Sequence, residues 1–116
     1  MSTPKTGFLD ADTDVIARIK ESMASDGVIK AMSENFKALS DPNRIRILTA
    51  LENGELCVCD IAALIELPQP SVSHHLKALR QLGIVRFRKS GKMTLYSLTD
   101  NRISGLLAVA RDFSRK

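Results

Sequence analysis

Residues 55–98, ELCVCDIAALIELPQPSVSHHLKALRQLGIVRFRKSGKMTLYSL, change their hydrophobic period part-way along, and that change decides the fold. Ile61, Leu64 and Ile65 recur at helical spacing from about Cys57 to Glu66. Leu67-Pro68 ends that segment, because proline disfavours helical backbone in the residue before it. The chain re-enters a helix at Gln69-Pro70-Ser71, with Val72, Leu76, Leu79 and the following Leu82 as the expected buried stripe. Two helices joined by so short a turn make a helix-turn-helix pattern. Gln69, Ser71, Ser73, His74 and Lys77 fall on the outward side of the second helix. These groups are able to reach base edges and phosphates, and Arg80 is expected at a phosphate.

After Gly83 the period becomes two. Val85 and Phe87 alternate with Arg86 and Arg88, and Thr94, Leu95 and Tyr96 resume beyond Lys89-Ser90-Gly91-Lys92. The pattern predicts a β-hairpin with a basic tip. Placed directly after a reading helix, such a hairpin is a wing, and Arg86, Arg88, Lys89 and Lys92 would clamp phosphates or enter a minor groove.

Upstream, Val15, Ile16, Ile19 and Met23 predict an amphipathic helix from about Asp14 to Ala24, with Gly27 beyond it. Ile29, Met32, Phe36 and Leu39 form the next stripe, which stops at Ser40-Asp41-Pro42. Asp41 is a good N-cap and Pro42 a good first residue for a further helix, which carries Ile45, Ile47, Leu48 and Leu51 and ends at Asn53-Gly54. A last helix begins near Thr99-Asp100 and shows Ile103, Leu106, Leu107 and Ala110. The expected fold is mostly α with a small β-hairpin wing, a winged helix-turn-helix. Residues 1–13 are expected as a flexible N-terminal arm and residues 14–116 as the DNA-binding domain with its terminal dimerisation helices.

A chain of 116 residues, 44% hydrophobic and 26% charged, suits one globular domain and excludes disorder. The net charge of +4 conceals an asymmetry: residues 1–66 carry −4, whereas Leu67–Thr99 hold six cations and no acid. An ordinary solvated face intersperses both signs, so this stretch points to a polyanion. No apolar run approaches the roughly 18 residues of a membrane span, and MSTPKTGFLDADTD is too polar for a secretory leader. The expectation is a cytoplasmic protein whose two cysteines, Cys57 and Cys59, are reduced thiols. Without a glycine-rich loop or nucleophile elbow, enzyme chemistry has little to build on, and the chain reads as a binder.

The run 55–98, preceded by FKALSDPNRIRILTAL at 36–51, strongly resembles the ArsR/SmtB family of metal-responsive bacterial transcriptional repressors. LCVCD, PSVSHHL and FRKSGK stand in the family's order. The resemblance implies a homodimer that blocks a promoter until an inducing metal or metalloid weakens its grip. The stripes Val15, Ile16, Ile19 and Ile103, Leu106, Leu107 agree, since a winged-helix core does not need them and a two-fold interface would cover them. A two-fold dimer would read an inverted-repeat operator in double-stranded DNA. DNA binding itself requires no cofactor.

In that family LCVCD marks the inducer site. Positions i and i+2 of an intact helix point about 200° apart, so Cys57 and Cys59 could share one ion only if the first helical turn opened. The expectation is that a thiophilic ion, As(III), Cd(II) or Pb(II), distorts that turn and re-aims the reading helix. Cys57 and Asp60, three residues apart, could instead share a helical face and suit a harder ion such as Zn(II). Further ligands are scarce: the N-terminal arm offers only Asp10, Asp12 and Asp14, and no third cysteine follows the pair. The helix N-terminus is expected to lower the thiol pKa and favour thiolate. The family's second inducer site implies an Asp-x-His motif near the last helix. Asp100 is present, but Arg102, Phe113 and Lys116 stand where the other ligands belong. Of the two histidines, His74 is expected to face DNA and His75 to pack. Two alternatives stand beside the metal reading: a repressor answering thiol oxidation or persulfidation, and a protein-interaction module on the same scaffold.

Overall fold

The computed structural model describes residues 12–115. Six helices, α1 (Thr13–Ser22), α2 (Asp26–Ala38), α3 (Pro42–Leu51), α4 (Val58–Ile65), α5 (Gln69–Gln81) and α6 (Asn101–Ser114), accompany three strands. The strands β1 (Leu56–Cys57), β2 (Val85–Ser90) and β3 (Met93–Leu98) form one antiparallel sheet in the order β1-β3-β2. Two compact units divide the chain after Met32.

In the first unit α1 starts at Thr13 because the Asp12 carboxylate accepts from the backbone N–H groups of Asp14 and Val15. The expected arm therefore gives way to helix one residue early, and its residues 1–11 lie outside the described part of the chain. Asp12 is engaged as a cap, which takes one of the arm's expected acidic donors. None of the α1 residues is buried.

The second unit contains the core. Asp41 caps α3 by accepting from the N–H groups of Asn43 and Arg44, and Pro42 stands in its first turn. Ile47, Leu48 and Leu51 on α3, Ile61 and Ala62 on α4, Val72, Leu76 and Leu79 on α5, and Leu107 on α6 are buried together with Ile84 and Val85. Leu107, and Ile103 packed against this cluster, thus serve the domain's own core and not the expected two-fold interface, which leaves only Leu106 of that stripe exposed. Full burial of one such side chain contributes about 1.5–3 kcal/mol, so this single cluster orients both helices of the helix-turn-helix. Leu82, expected in the stripe, is 38% exposed because it is the C-cap residue, where the chain leaves the helix.

Glu66 ends α4 in the left-handed region (φ 57°, ψ 50°), and Leu67 N–H returns to the Ala62 carbonyl at 3.1 Å. That reversal sets the angle between α4 and α5. The hairpin forms as its period predicts, with Gly91 in the turn at φ 62°. Alternation puts Val85, Phe87, Tyr96, Leu98 and Leu56 on one face of the sheet and Arg86, Arg88, Leu95, Ser97 and Cys57 on the other. The strand β1 was not foreseen: it adds Leu56 opposite Tyr96 and Cys57 opposite Leu95.

Candidate nucleic-acid interface and metal centre

Helix α5 carries the predicted reading residues along its first two turns. Gln69, Ser73, His74 and Lys77 are exposed, while Ser71 is half-buried. His75 turns inward as expected, and its ring has a partner: Arg44 Nε–H donates to His75 Nδ1 at 3.1 Å. The Asp41 carboxyl beside them is held below the usual carboxylate range, chiefly by the backbone N–H of Arg44, with the N–H of Asn43 and the charges of His75 and Arg44 adding to it.

On the wing, Lys89 and Lys92 are exposed and have no ion-pair partner among the described residues. Arg86 points its Nε toward Ser97 Oγ at 3.4 Å. Two of the expected phosphate contacts are engaged within the protein. Arg80 lies 4.7 Å above the Phe87 ring, which packs on Tyr96, so a cation–π contact joins reading helix to wing. Arg88 forms a bidentate ion pair with Glu55, each N–O distance being 2.7 Å. That pairing holds the Glu55 carboxyl below its ordinary range and the Arg88 guanidinium above its own. Sequence reasoning missed both Arg44 and Glu55, since their partners lie 31 and 33 residues away.

The thiols meet at the root of the wing. Cys57 ends β1 and is also the N-cap of α4, with extended backbone (φ −84°, ψ 165°). Cys59 stands in the first turn, and the two Sγ atoms are 2.8 Å apart. This corrects the expectation that the pair can converge only by opening a helical turn. Cys57 lies outside the helix, so the 200° separation does not apply. Cys57 is 5% exposed, whereas Cys59 and Asp60 are open to solvent. Contact with Cys59 raises the Cys57 thiol pKa most strongly, burial and Asp60 raise it further, and only the backbone N–H of Asp60 opposes them. The expected lowering by the helix N-terminus is outweighed at Cys57.

Donor atoms of Cys57, Cys59 and Asp60 lie within 4.8 Å of one another. A tetrahedral ion with metal–sulfur bonds of about 2.3 Å needs its sulfurs roughly 3.8 Å apart, so the pair must open by only about 1 Å. Two sulfurs and a carboxylate on the open side fit a thiophilic ion that keeps one position for solvent or another donor. Asp100 is not available to a second site. It caps α6 through Arg102 N–H and grips the Arg102 guanidinium at 2.6 Å, which brings its carboxyl down to about 2. Lys116 lies outside the described residues.

The model of the bacterial regulatory protein arsR family matches residues 41–86, the segment from the α3 cap through the helix-turn-helix into the wing. A cadmium resistance transcriptional regulatory protein CadC homolog from Staphylococcus aureus is 42% identical over 84% of this chain and 80% of its own length. The chain belongs to the ArsR family. An arsenical resistance operon repressor from Staphylococcus xylosus is 44% identical over 60% of this chain and 66% of its own. The homodimeric winged helix-turn-helix DNA-binding domain of a possible ArsR-family regulator from Mycobacterium bovis superimposes with a TM-score of 0.71 at 26% identity, covering 80% of this chain and 89% of that one. This ArsR-family chain is thus a DNA-binding transcriptional regulator and not an enzyme. No helix among its described residues is long and apolar enough to cross a membrane.

Proposed function

We propose that the protein is a homodimeric, cytoplasmic repressor that leaves an inverted-repeat operator when one thiophilic ion, As(III), Cd(II) or Pb(II), binds Cys57 and Cys59 with help from Asp60. The observation that carries this reading is the 2.8 Å approach of the two thiols at the residue where the wing sheet meets the first helix of the helix-turn-helix. Cys57 pairs with β3 on one side and opens α4 on the other, so ligation there acts on the wing sheet and on the helix that leads into the reading helix α5. The cadmium and arsenical resistance regulators among its relatives favour the same class of inducer. Gln69, Ser71, Ser73, His74 and Lys77 read the groove, and Arg80, Arg86, Arg88, Lys89 and Lys92 serve the backbone.

The second copy covers an apolar groove of about 600 Å³ between the end of α2, α3 and α6. Phe113, Val109 and Phe36 on its walls are 91%, 70% and 57% exposed, a contiguous set of large apolar side chains of the kind that a partner surface covers. The second copy also covers the exposed apolar residues Val15, Ile16 and Ile19 of α1.

Thiols in contact also suit oxidation or persulfidation, the second reading that this geometry favours. A reporter gene behind the protein's own promoter separates them. Induction by Cd(II), As(III) or Pb(II), abolished by Cys57→Ser and by Cys59→Ser, is the expected result. Induction by an oxidant alone, with all three ions silent, would replace the ion with a redox signal.

A further inference from the structure

We infer that Glu55 sets the protein's affinity for DNA by competing with a backbone phosphate for the Arg88 guanidinium. This rests on the placement of Arg88 at the DNA backbone proposed above.

Between Leu67 and Thr99 the chain holds no acid, and among the described residues Glu55 is the carboxylate that forms an ion pair with this cationic stretch from outside it. It does so across the central strand. Cys57, Leu95 and Arg88 form one rung of the sheet, and Glu55 precedes Cys57 by two residues. Alternation thereby brings its side chain to the face that carries Arg88 and Arg86. The carboxylate then takes the guanidinium through two parallel N–H···O contacts of 2.7 Å. The same fork accepts two oxygens of a phosphate, so Glu55 occupies the geometry that DNA would use.

Both partners are open to solvent, with side-chain exposures of 58% for Arg88 and 37% for Glu55. An ion pair in that setting is screened and exchangeable. Lys89 and Lys92, with no carboxylate opposite them among the described residues, meet DNA without such an exchange. Arg88 contributes only what phosphate contact yields beyond the pair it gives up. Glu55 therefore holds the apparent charge of the wing one unit lower than its sequence implies, until a phosphate displaces it.

The test is fluorescence anisotropy of reduced full-length protein on a fragment of its own promoter and on an unrelated duplex of equal length, across a range of KCl. Glu55→Gln keeps the side chain's shape and removes its charge. It should tighten binding to both duplexes by about three- to tenfold near 0.1 M salt and steepen the slope of log Kobs against log salt by about one. Arg88→Gln should weaken both. On the Arg88→Gln background, Glu55→Gln should have no further effect, which a general change in surface charge would not reproduce. An unchanged or weaker Glu55→Gln protein overturns the inference, as does an equal gain on both backgrounds. If Arg88→Gln alone binds like the parent, the placement of Arg88 at phosphate fails, and the competition with it. Thermal melts of all four proteins check that each is folded.

Discussion

Arg44, in the first turn of α3, donates its Nε–H to Nδ1 of His75, in the middle of α5, at 3.1 Å. The bond ties the helix before the helix-turn-helix to the reading helix, one residue from the exposed His74.

Loss of either partner leaves the other half-buried and unmatched. His75→Ala and Arg44→Ala should each lower the free energy of unfolding by about 1–2 kcal/mol. In urea titrations the double variant should lose less than the two single losses together, because both remove the same bond. Strictly additive losses would mean that the contact contributes nothing of its own.

The proposed roles assign sequence preference and overall affinity to different side chains. Ser73→Ala or His74→Ala, on the exposed face of α5, should narrow the gap between operator and unrelated DNA. Lys89→Ala on the wing should weaken both duplexes alike and reduce the salt slope by about one. Competition binding at two salt concentrations distinguishes these effects, and equal behaviour of the two classes would erase the division of labour.

The groove beside α6 predicts a dimer that a single charge disrupts. Phe113→Asp or Val109→Asp places a carboxylate on surface that the second copy would desolvate. Light scattering after gel filtration should give the mass of a monomer, with helical content retained, and operator affinity should fall because each reading head then binds a half-site alone. A dimer that survives both substitutions would place the interface elsewhere.

Acid should release the cap of α6 late. Asp100 has a carboxyl at about 2 in the folded chain, below its ordinary 3.8, because the Arg102 guanidinium and backbone N–H bind the charged form. A depressed folded pKa means that the stabilisation is complete above the unfolded value and disappears as pH falls from about 4 toward 2. Urea stability measured at pH 5 and at pH 3 should drop less for Asp100→Asn than for the parent. Identical drops would show that this carboxylate has no part in the acid transition.

Much of this architecture is legible in the residues themselves. Asp41-Pro42 announces α3, Leu67-Pro68 divides the two helices of the reading head, and the change to alternation after Gly83 reveals the wing. Each is a local signal, in which cap, breaker or period acts within a few residues. What escaped is non-local or too short to carry a period. The strand β1 has two residues, Leu56 and Cys57, and exists because β3 offers them a partner. The approach of the thiols escaped for the same reason: β1 keeps Cys57 extended, so helical angles do not govern it. Glu55 and Arg44 look like ordinary surface charges until folding brings Arg88 and His75 to them.

One ion held between Cys57 and Cys59 is expected to release DNA, and anisotropy of the reduced protein on its promoter fragment reads that release itself. Titrated with As(III), then separately with Cd(II) and Pb(II), the complex should dissociate near one ion per chain with at least one of them. The requirement for ion should fall as pH rises, because the raised Cys57 thiol must lose its proton to bind. Cys57→Ser should stay on the DNA throughout. A tight complex undisturbed by all three ions, while sulfur-to-metal absorbance shows the thiols ligated, would mean that ligation at Cys57 and Cys59 does not release DNA.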